Sequence, residues 1–387
     1  MIAGRKDTWV KLEKFAGEKH ENVFWVHAAS LGEFEQGRPI IERLKKNSPF
    51  TTILLSFFSP SGYEIRKEYV GADLVIYLPA DNLRNARNFL RLAKPKVALF
   101  IKYEFWHYYL KECSDKKVLT ISVSSIFRKG QPFFEYYGNL HRKMLRYFDH
   151  IFVQDEKSKI LLNSIDFNNI TISGDTRFDR VVDITLARKN FPLITEFKGS
   201  EKLLVLGSVW PSDMQVLLPF FKKFKNELKF IIAPHNIGNN DVQQIRDQLD
   251  NQAIRYSEIN NNSLEGCRFL IMDNMGMLSS LYGYGEFAYV GGAFRKTLHN
   301  TLEAAVHGIP VFFGSNPANV KFREAMELQQ SGAGISINDS IEFAENFSIL
   351  FSDEDKRKIL GKIASDYVSS NTGATEMIVN YITQKLT

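Results

Sequence analysis

Apolar residues come in short unbroken runs rather than in strict alternation, and segments with helical spacing follow most of them. Unbroken apolar runs of strand length predict parallel strands that are covered on both faces. The first half offers such strands at residues 23–27, 51–57, 74–77, 97–101, 118–123, 151–153 and 171–172. Helical patterns lie between them, among them 33–46, 82–92 and 133–147. A polar stretch at 189–202, with Pro192 and Gly199, interrupts the pattern. It restarts with strands at 203–207, 229–233, 269–272, 287–290 and 311–313, and helices at 213–224 and 300–307. Residues 353–386 read as a helical tail broken around 371–373. The alternation predicts an α/β protein of two doubly wound, Rossmann-like domains, residues 1–190 and 191–387, with a cleft between them. The tail helix can return to the first domain.

Composition adds exclusions. The apolar and charged fractions, 44% and 24%, are those of a globular chain, so disorder, collagen and coiled coil drop out. Cys113 and Cys267 are the only cysteines, which predicts neither a disulfide framework nor a structural zinc site. No apolar run reaches the roughly 18 residues that span a bilayer. Residues 1–190 carry 31 Lys and Arg against 22 Asp and Glu, a balance of +9, whereas residues 191–387 stand at −4. The first half therefore suits an anionic partner, and charge alone does not choose among nucleic acid, acidic lipid and a phosphorylated substrate.

Two stretches carry candidate chemistry. WVHAASLGEFEQGRPIIERLK runs from a strand through a turn of small residues, including Ser30 and Gly32, into a helix that begins near Glu33. Small residues allow a ligand close to the backbone, and a helix amino terminus favours anions. Ser30 and Glu33 also have capping-box spacing. Position leaves Glu33 open to either role, cap or general base. The second stretch is Gly291-Gly292, a short loop, then HNTLEAAVHGIPVFFG, which places Asn300, Thr301, Leu302 and Glu303 at the start of a helix. That geometry would offer backbone N–H groups to a phosphate, with Glu303 for ribose hydroxyls. This order of features resembles the donor-nucleotide site of GT-B glycosyltransferases. Asp353 and Asp355 form an Asp-x-Asp, but they stand where acids favour a helix dipole.

The whole set resembles the Kdo transferases, which attach 3-deoxy-D-manno-octulosonic acid to the lipid A precursor. HAASLGEFEQ looks like their amino-terminal signature, and YEFW at 103–106 like their acidic-aromatic motif. GDTRFD at 174–179 is similar to their Gly-Asn-x-Lys-Phe-Asp, with Arg177 as the basic residue. GSVWPSD, APHN, MGML, YVGGAF and HNTLEAAVHGIPV follow in family order. Several positions depart from it: Pro234-His235-Asn236 replaces the usual Pro-Arg-His, removing a donor-site arginine. Met277 and Thr301 replace a usual Glu and Pro, and Lys102 stands where a first Glu is common.

The resemblance implies an inverting transfer of Kdo from CMP-Kdo to lipid IVA, with no cofactor and no metal. Glu33 would be the base, ionised at neutral pH as an ordinary Glu is. Glu104 and Arg177 would stabilise the transition state. Pro234, His235, Gly276, Met277, Leu278, Asn300, Thr301, Leu302 and Glu303 would hold CMP, and Ser30 and Gly32 would lie on the acceptor side. The basic first half would face lipid A and anionic lipid at the cytoplasmic face of the bacterial inner membrane. Most members begin with a membrane-anchoring helix, and this chain starts just where that helix would end, so the anchor would be either truncated or naturally absent, and attachment of the chain as given would be peripheral. Another GT-B nucleotide-sugar transferase or a sugar-nucleotide epimerase is the rival enzyme. A nucleic-acid-binding protein is the rival of another class, and no nucleic-acid module is present to support it.

Overall fold

The structure, a computed structural model, describes residues 2–187, 190–250, 252–261, 264–295 and 297–386. The chain forms two compact units, Met1–Arg180 with Asn371–Thr387, and Val181–Ser370. The division falls at 180 and again at 370, with residues 371–387 grouped with the first unit.

The first unit holds seven strands: β1 (Asn22–Ala28), β2 (Thr51–Phe57), β3 (Leu74–Tyr77), β4 (Val97–Ile101), β5 (Leu119–Ser125), β6 (His150–Val153) and β7 (Ile170–Ile172). All pair in parallel, in the order 3-2-1-4-5-6-7. Trp25 of β1 lies opposite Leu54 on one side and Ala98 on the other. The unbroken apolar runs are explained by two cores, one on each face of this sheet. Trp25, Phe89, Phe100 and Tyr109 pack on one face, and Phe34, Ile40, Leu55 and Phe57 on the other. The helix Ile2–Gly17 buries Leu12 and Phe15 in the first of these cores, and Thr8 Oγ1 donates to the Tyr77 carbonyl. The carboxy-terminal helix Ala374–Leu386 sinks Ile378, Val379 and Ile382 into the second.

The second unit repeats the plan with β8 (Leu203–Val209), β9 (Lys229–Pro234), β10 (Ala253–Arg255), β11 (Phe269–Ile271), β12 (Phe287–Val290), β13 (Val311–Gly314) and β14 (Gly334–Ile337). Their parallel order is 10-11-9-8-12-13-14. Its core is rich in phenylalanine; Phe220 and Phe343 stack 4.0 Å apart. The strand order reverses at the centre of each sheet, between β1 and β4 and between β8 and β12, and in the second sheet β11 also inserts between β9 and β10. Open α/β sheets bind ligands beyond the strand carboxyl ends at such reversals.

Two sequence-predicted helices are shorter than expected. Residues 132–147 split into a 3₁₀ turn, Pro132–Phe134, and a helix, Asn139–Leu145. The break lies at Gly138, where a Cβ would stand 1.8 Å from the Pro132 carbonyl oxygen, so the backbone folds back on itself there. The segment 300–307 contracts to one turn, Leu302–Ala305. Among the described residues no helix is long and apolar enough to cross a membrane.

Candidate active site

At the first reversal, β1 ends in Ala28 and the chain turns through Ala29 and Ser30 into the helix Leu31–Asn47. Ser30 is the N-cap, and the capping box is formed. Glu33 Oε2 accepts from the Ala29 N–H at 2.6 Å and from the Ser30 N–H at 3.2 Å. The Glu33 N–H reaches Ser30 Oγ at 3.5 Å. Both backbone contacts to the carboxylate use Oε2, and Oε1 takes no part in them. A cap and a base are therefore compatible in one side chain, with one oxygen for each task. Gly32 is exposed in the same turn.

Beyond β4 comes Glu104. Its Oε2 accepts from Trp106 Nε1 at 2.5 Å and lies 3.2 Å from His27 Nε2. His27 is fully buried on β1, with Nδ1 at 2.8 Å from Ser56 Oγ. Ser56 Oγ itself receives the Trp25 Nε1–H at 2.7 Å. A hydroxyl proton directed at His27 Nδ1 leaves Nε2–H to donate to Glu104, which satisfies every group in the chain. Glu104 is thus fixed from two sides.

This carboxylate governs Glu33. Burial, and then the nearby Glu104 charge, push the Glu33 pKa up to about 7, against the Ala29 and Ser30 amides and Lys102. The sequence expectation of an ordinary, fully ionised Glu fails here, because its enclosure is a tertiary property. A carboxyl that titrates near neutrality suits general-base work. Lys102 adopts a left-handed φ of +63° at the end of β4, its N–H on the Val123 carbonyl and its own carbonyl accepting from Ser125 Oγ. Backbone of that kind is costly for a residue with a Cβ and concentrates at functional sites.

Arg177 sits in the first turn of the helix Thr176–Leu186 and forks onto Asp175, with Nε at 2.9 Å and a terminal nitrogen at 2.8 Å from Oδ2. Asp175 is buried and also accepts from Gln36 Nε2 on the helix that carries Glu33. Burial opposes its charge, but Arg177 outweighs it and holds the carboxyl below the usual range. Asp179, four residues on, accepts from the Gly373 and Thr375 N–H groups and so caps the carboxy-terminal helix. The GDTRFD motif therefore ties three separate segments of this unit together. Reasoning from sequence overlooked His27, Gln36 and Asp175 as individual residues, although all three lie in the motifs it picked out.

In the second unit, the Gly-Gly turn is held from below by Asp213. This buried carboxylate accepts from the Trp210 N–H at 2.8 Å, the Gly292 N–H at 3.1 Å and the Tyr289 hydroxyl at 2.9 Å. Gly291 passes so near Ser208 that a Cβ would lie 2.4 Å from its carbonyl oxygen, and Gly292 has φ +97°. The Gly291 N–H is bonded to the Gly207 carbonyl. Both glycine amides are therefore consumed internally.

The remaining sequence-predicted donor residues fall into two groups. Asn300 Oδ1 accepts from the Leu302 N–H at 3.2 Å, and Glu303 joins Asn300 to Ser279 through its two oxygens. Ser279 belongs to the short helix Leu278–Leu281, which Gly276, at φ +86°, and Met277 precede. Gly276–Leu278 and Asn300–Glu303 are thereby brought together. Thr301 and Leu302 are fully buried, so their side chains are packing elements. Pro234 ends β9 buried, and His235 stands exposed just beyond it, stacked on Trp210 at 3.9 Å. Among the described residues no group of three or more His, Cys, Asp or Glu is placed to hold a metal ion.

Residues 7–180 match the family described as 3-deoxy-D-manno-octulosonic-acid transferase (kdotransferase). The 3-deoxy-D-manno-octulosonic acid transferase of Aquifex aeolicus is 28% identical over 88% of this chain and 89% of its own length. The chain is a homologue of the Kdo transferases. The enzyme of that name from Haemophilus influenzae is 24% identical over 92% of this chain and 86% of its own. Among solved structures, the UDP-GlcNAc 2-epimerase of Neisseria meningitidis bound to UDP-GlcNAc superimposes with a TM-score of 0.64. It covers 94% of this chain and all of that one at 15% identity, a likeness of fold. The two parallel seven-stranded sheets share the GT-B-like fold of that solved structure.

Proposed function

We propose that this Kdo transferase homologue moves Kdo from CMP-Kdo to a hydroxyl of the lipid A precursor, with inversion and without a metal ion. The observation that carries the reading is the Glu33 carboxyl, set at the β1–β4 reversal with a pKa near 7 and backed by Glu104 and His27. Glu33 Oε1 takes the proton from the acceptor hydroxyl as that oxygen attacks C2 of Kdo. The bond from C2 to the phosphate oxygen breaks, CMP departs, and attack from the opposite face inverts the anomeric centre. Arg177, oriented by Asp175, is the cation of the first unit that meets the developing negative charge. The second unit holds the nucleotide through His235, the Gly276–Leu278 segment and Asn300 with Glu303.

The excess of positive charge in residues 1–190 supports work at an anionic bilayer, the cytoplasmic face of the inner membrane. Such residues contribute about 1 kcal/mol each near an anionic leaflet. One experiment tests both statements. CMP-Kdo, generated in situ, is added to the protein with tetraacyl lipid A precursor in anionic vesicles and excess EDTA, and the lipid is weighed by mass spectrometry. The expected product is heavier by one or more Kdo units, and the protein floats with the vesicles less as salt rises. An unmodified lipid despite bound CMP refutes the acceptor assignment; a strict need for divalent ions refutes the metal-free mechanism.

A further inference from the structure

Beyond β9 the chain presents His235 rather than a permanently charged side chain, and both glycine amides of the Gly291-Gly292 turn are occupied. What fills that place is an aromatic and cationic cluster beyond β8, β9 and β12. Trp210, the residue before the helix Pro211–Phe224, stacks on His235 at 3.9 Å and 19°. Its Nε1–H donates to His299 Nε2 at 3.0 Å, which leaves the His299 proton on Nδ1. The Arg295 guanidinium lies over the same indole, 4.2 Å from the ring centroid.

The charges sort cleanly. Burial and then His235 push His299 down to about 4, and burial and then Arg295 lower His235. A value near 4 leaves His299 uncharged at neutral pH, and His235 is shifted in the same direction. Arg295 is exposed and pairs with no carboxylate among the described residues. A guanidinium held over an indole is ordered in advance, and a cation–π contact leaves its N–H groups free to meet an anion.

We infer that Arg295, held over Trp210, supplies the positive charge that binds the nucleotide phosphate on the donor side. In this role it binds the phosphate of the nucleoside monophosphate and stays with it as the leaving group. The inference rests on the CMP-Kdo reading of the second unit.

The test is calorimetric titration of CMP and ligand-observed NMR titration of cytidine against the wild type, Arg295→Ala and Arg295→Lys. Losing one charge-assisted contact to the phosphate should weaken CMP by about 10- to 100-fold in Arg295→Ala. Cytidine affinity should not change, and Arg295→Lys should recover part of the loss. CMP affinity unchanged in Arg295→Ala, or an equal loss for CMP and cytidine, overturns the inference. The latter result would show that Arg295 only props up Trp210. A wild type that binds cytidine but gains nothing from the phosphate also overturns it. A wild type that binds neither removes the CMP reading itself, and the inference with it.

Discussion

Glu33→Gln should abolish most of the transfer while leaving the protein folded. Positioned proton transfer typically contributes roughly 10²–10⁴-fold, and kcat should fall by at least that much. The amide is the informative choice because Gln still caps a helix: its carbonyl oxygen can accept the Ala29 and Ser30 N–H groups now bound by Oε2. Glu33→Ala removes base and cap together, so a loss there is ambiguous. Thermal melts and single-turnover rates of the Gln variant separate the two roles. A folded Gln variant with near wild-type turnover would reduce Glu33 to its capping role.

The second large effect concerns stability. Deleting residues 374–387 removes the helix that seats Ile378, Val379 and Ile382, all fully buried, beside Phe34 and Ile40. Burying an aliphatic side chain is worth about 1.5–3 kcal/mol, so three of them give roughly 5–9 kcal/mol. That approaches the whole stability of many domains, about 5–15 kcal/mol. The truncated chain should be insoluble, or lose the cooperative melt of the first unit. A soluble truncation with an unchanged Tm would show that the helix is dispensable. The link to function is direct, since the partner of this helix carries Glu33.

Much of the architecture was legible because each central strand is buried on both faces and must be apolar throughout, as in Val97–Ile101 or Phe287–Val290. The edge strands Ala253–Arg255 and Gly334–Ile337 escaped notice for the converse reason. They are short and partly exposed, so their residues need not form an apolar run. The split at Gly138 was hidden because nothing local signals a carbonyl folding back from six residues upstream. At the site, residue types and order pointed to Glu33 and Glu104, since a motif is written in the chain. The proton affinity of Glu33 was not readable there, because burial and Glu104 create it across 71 residues of sequence. Nor was the fate of the glycine amides, of which Asp213 takes Gly292 and the Gly207 carbonyl takes Gly291.

The central claim, that Glu33 is a base tuned by Glu104, is met most directly by the pH dependence of kcat in the wild type and in Glu104→Gln. The base must be unprotonated, so the wild-type rate should climb with pH through a midpoint near 7 and level off above it. Removing the Glu104 charge removes one cause of the raised pKa, so the midpoint should move to lower pH in Glu104→Gln. A substrate phosphate that titrates in the same range would give a midpoint indifferent to this substitution. A wild-type profile that is flat from pH about 5.5 to 8.5, or a midpoint unmoved in Glu104→Gln, would contradict the account.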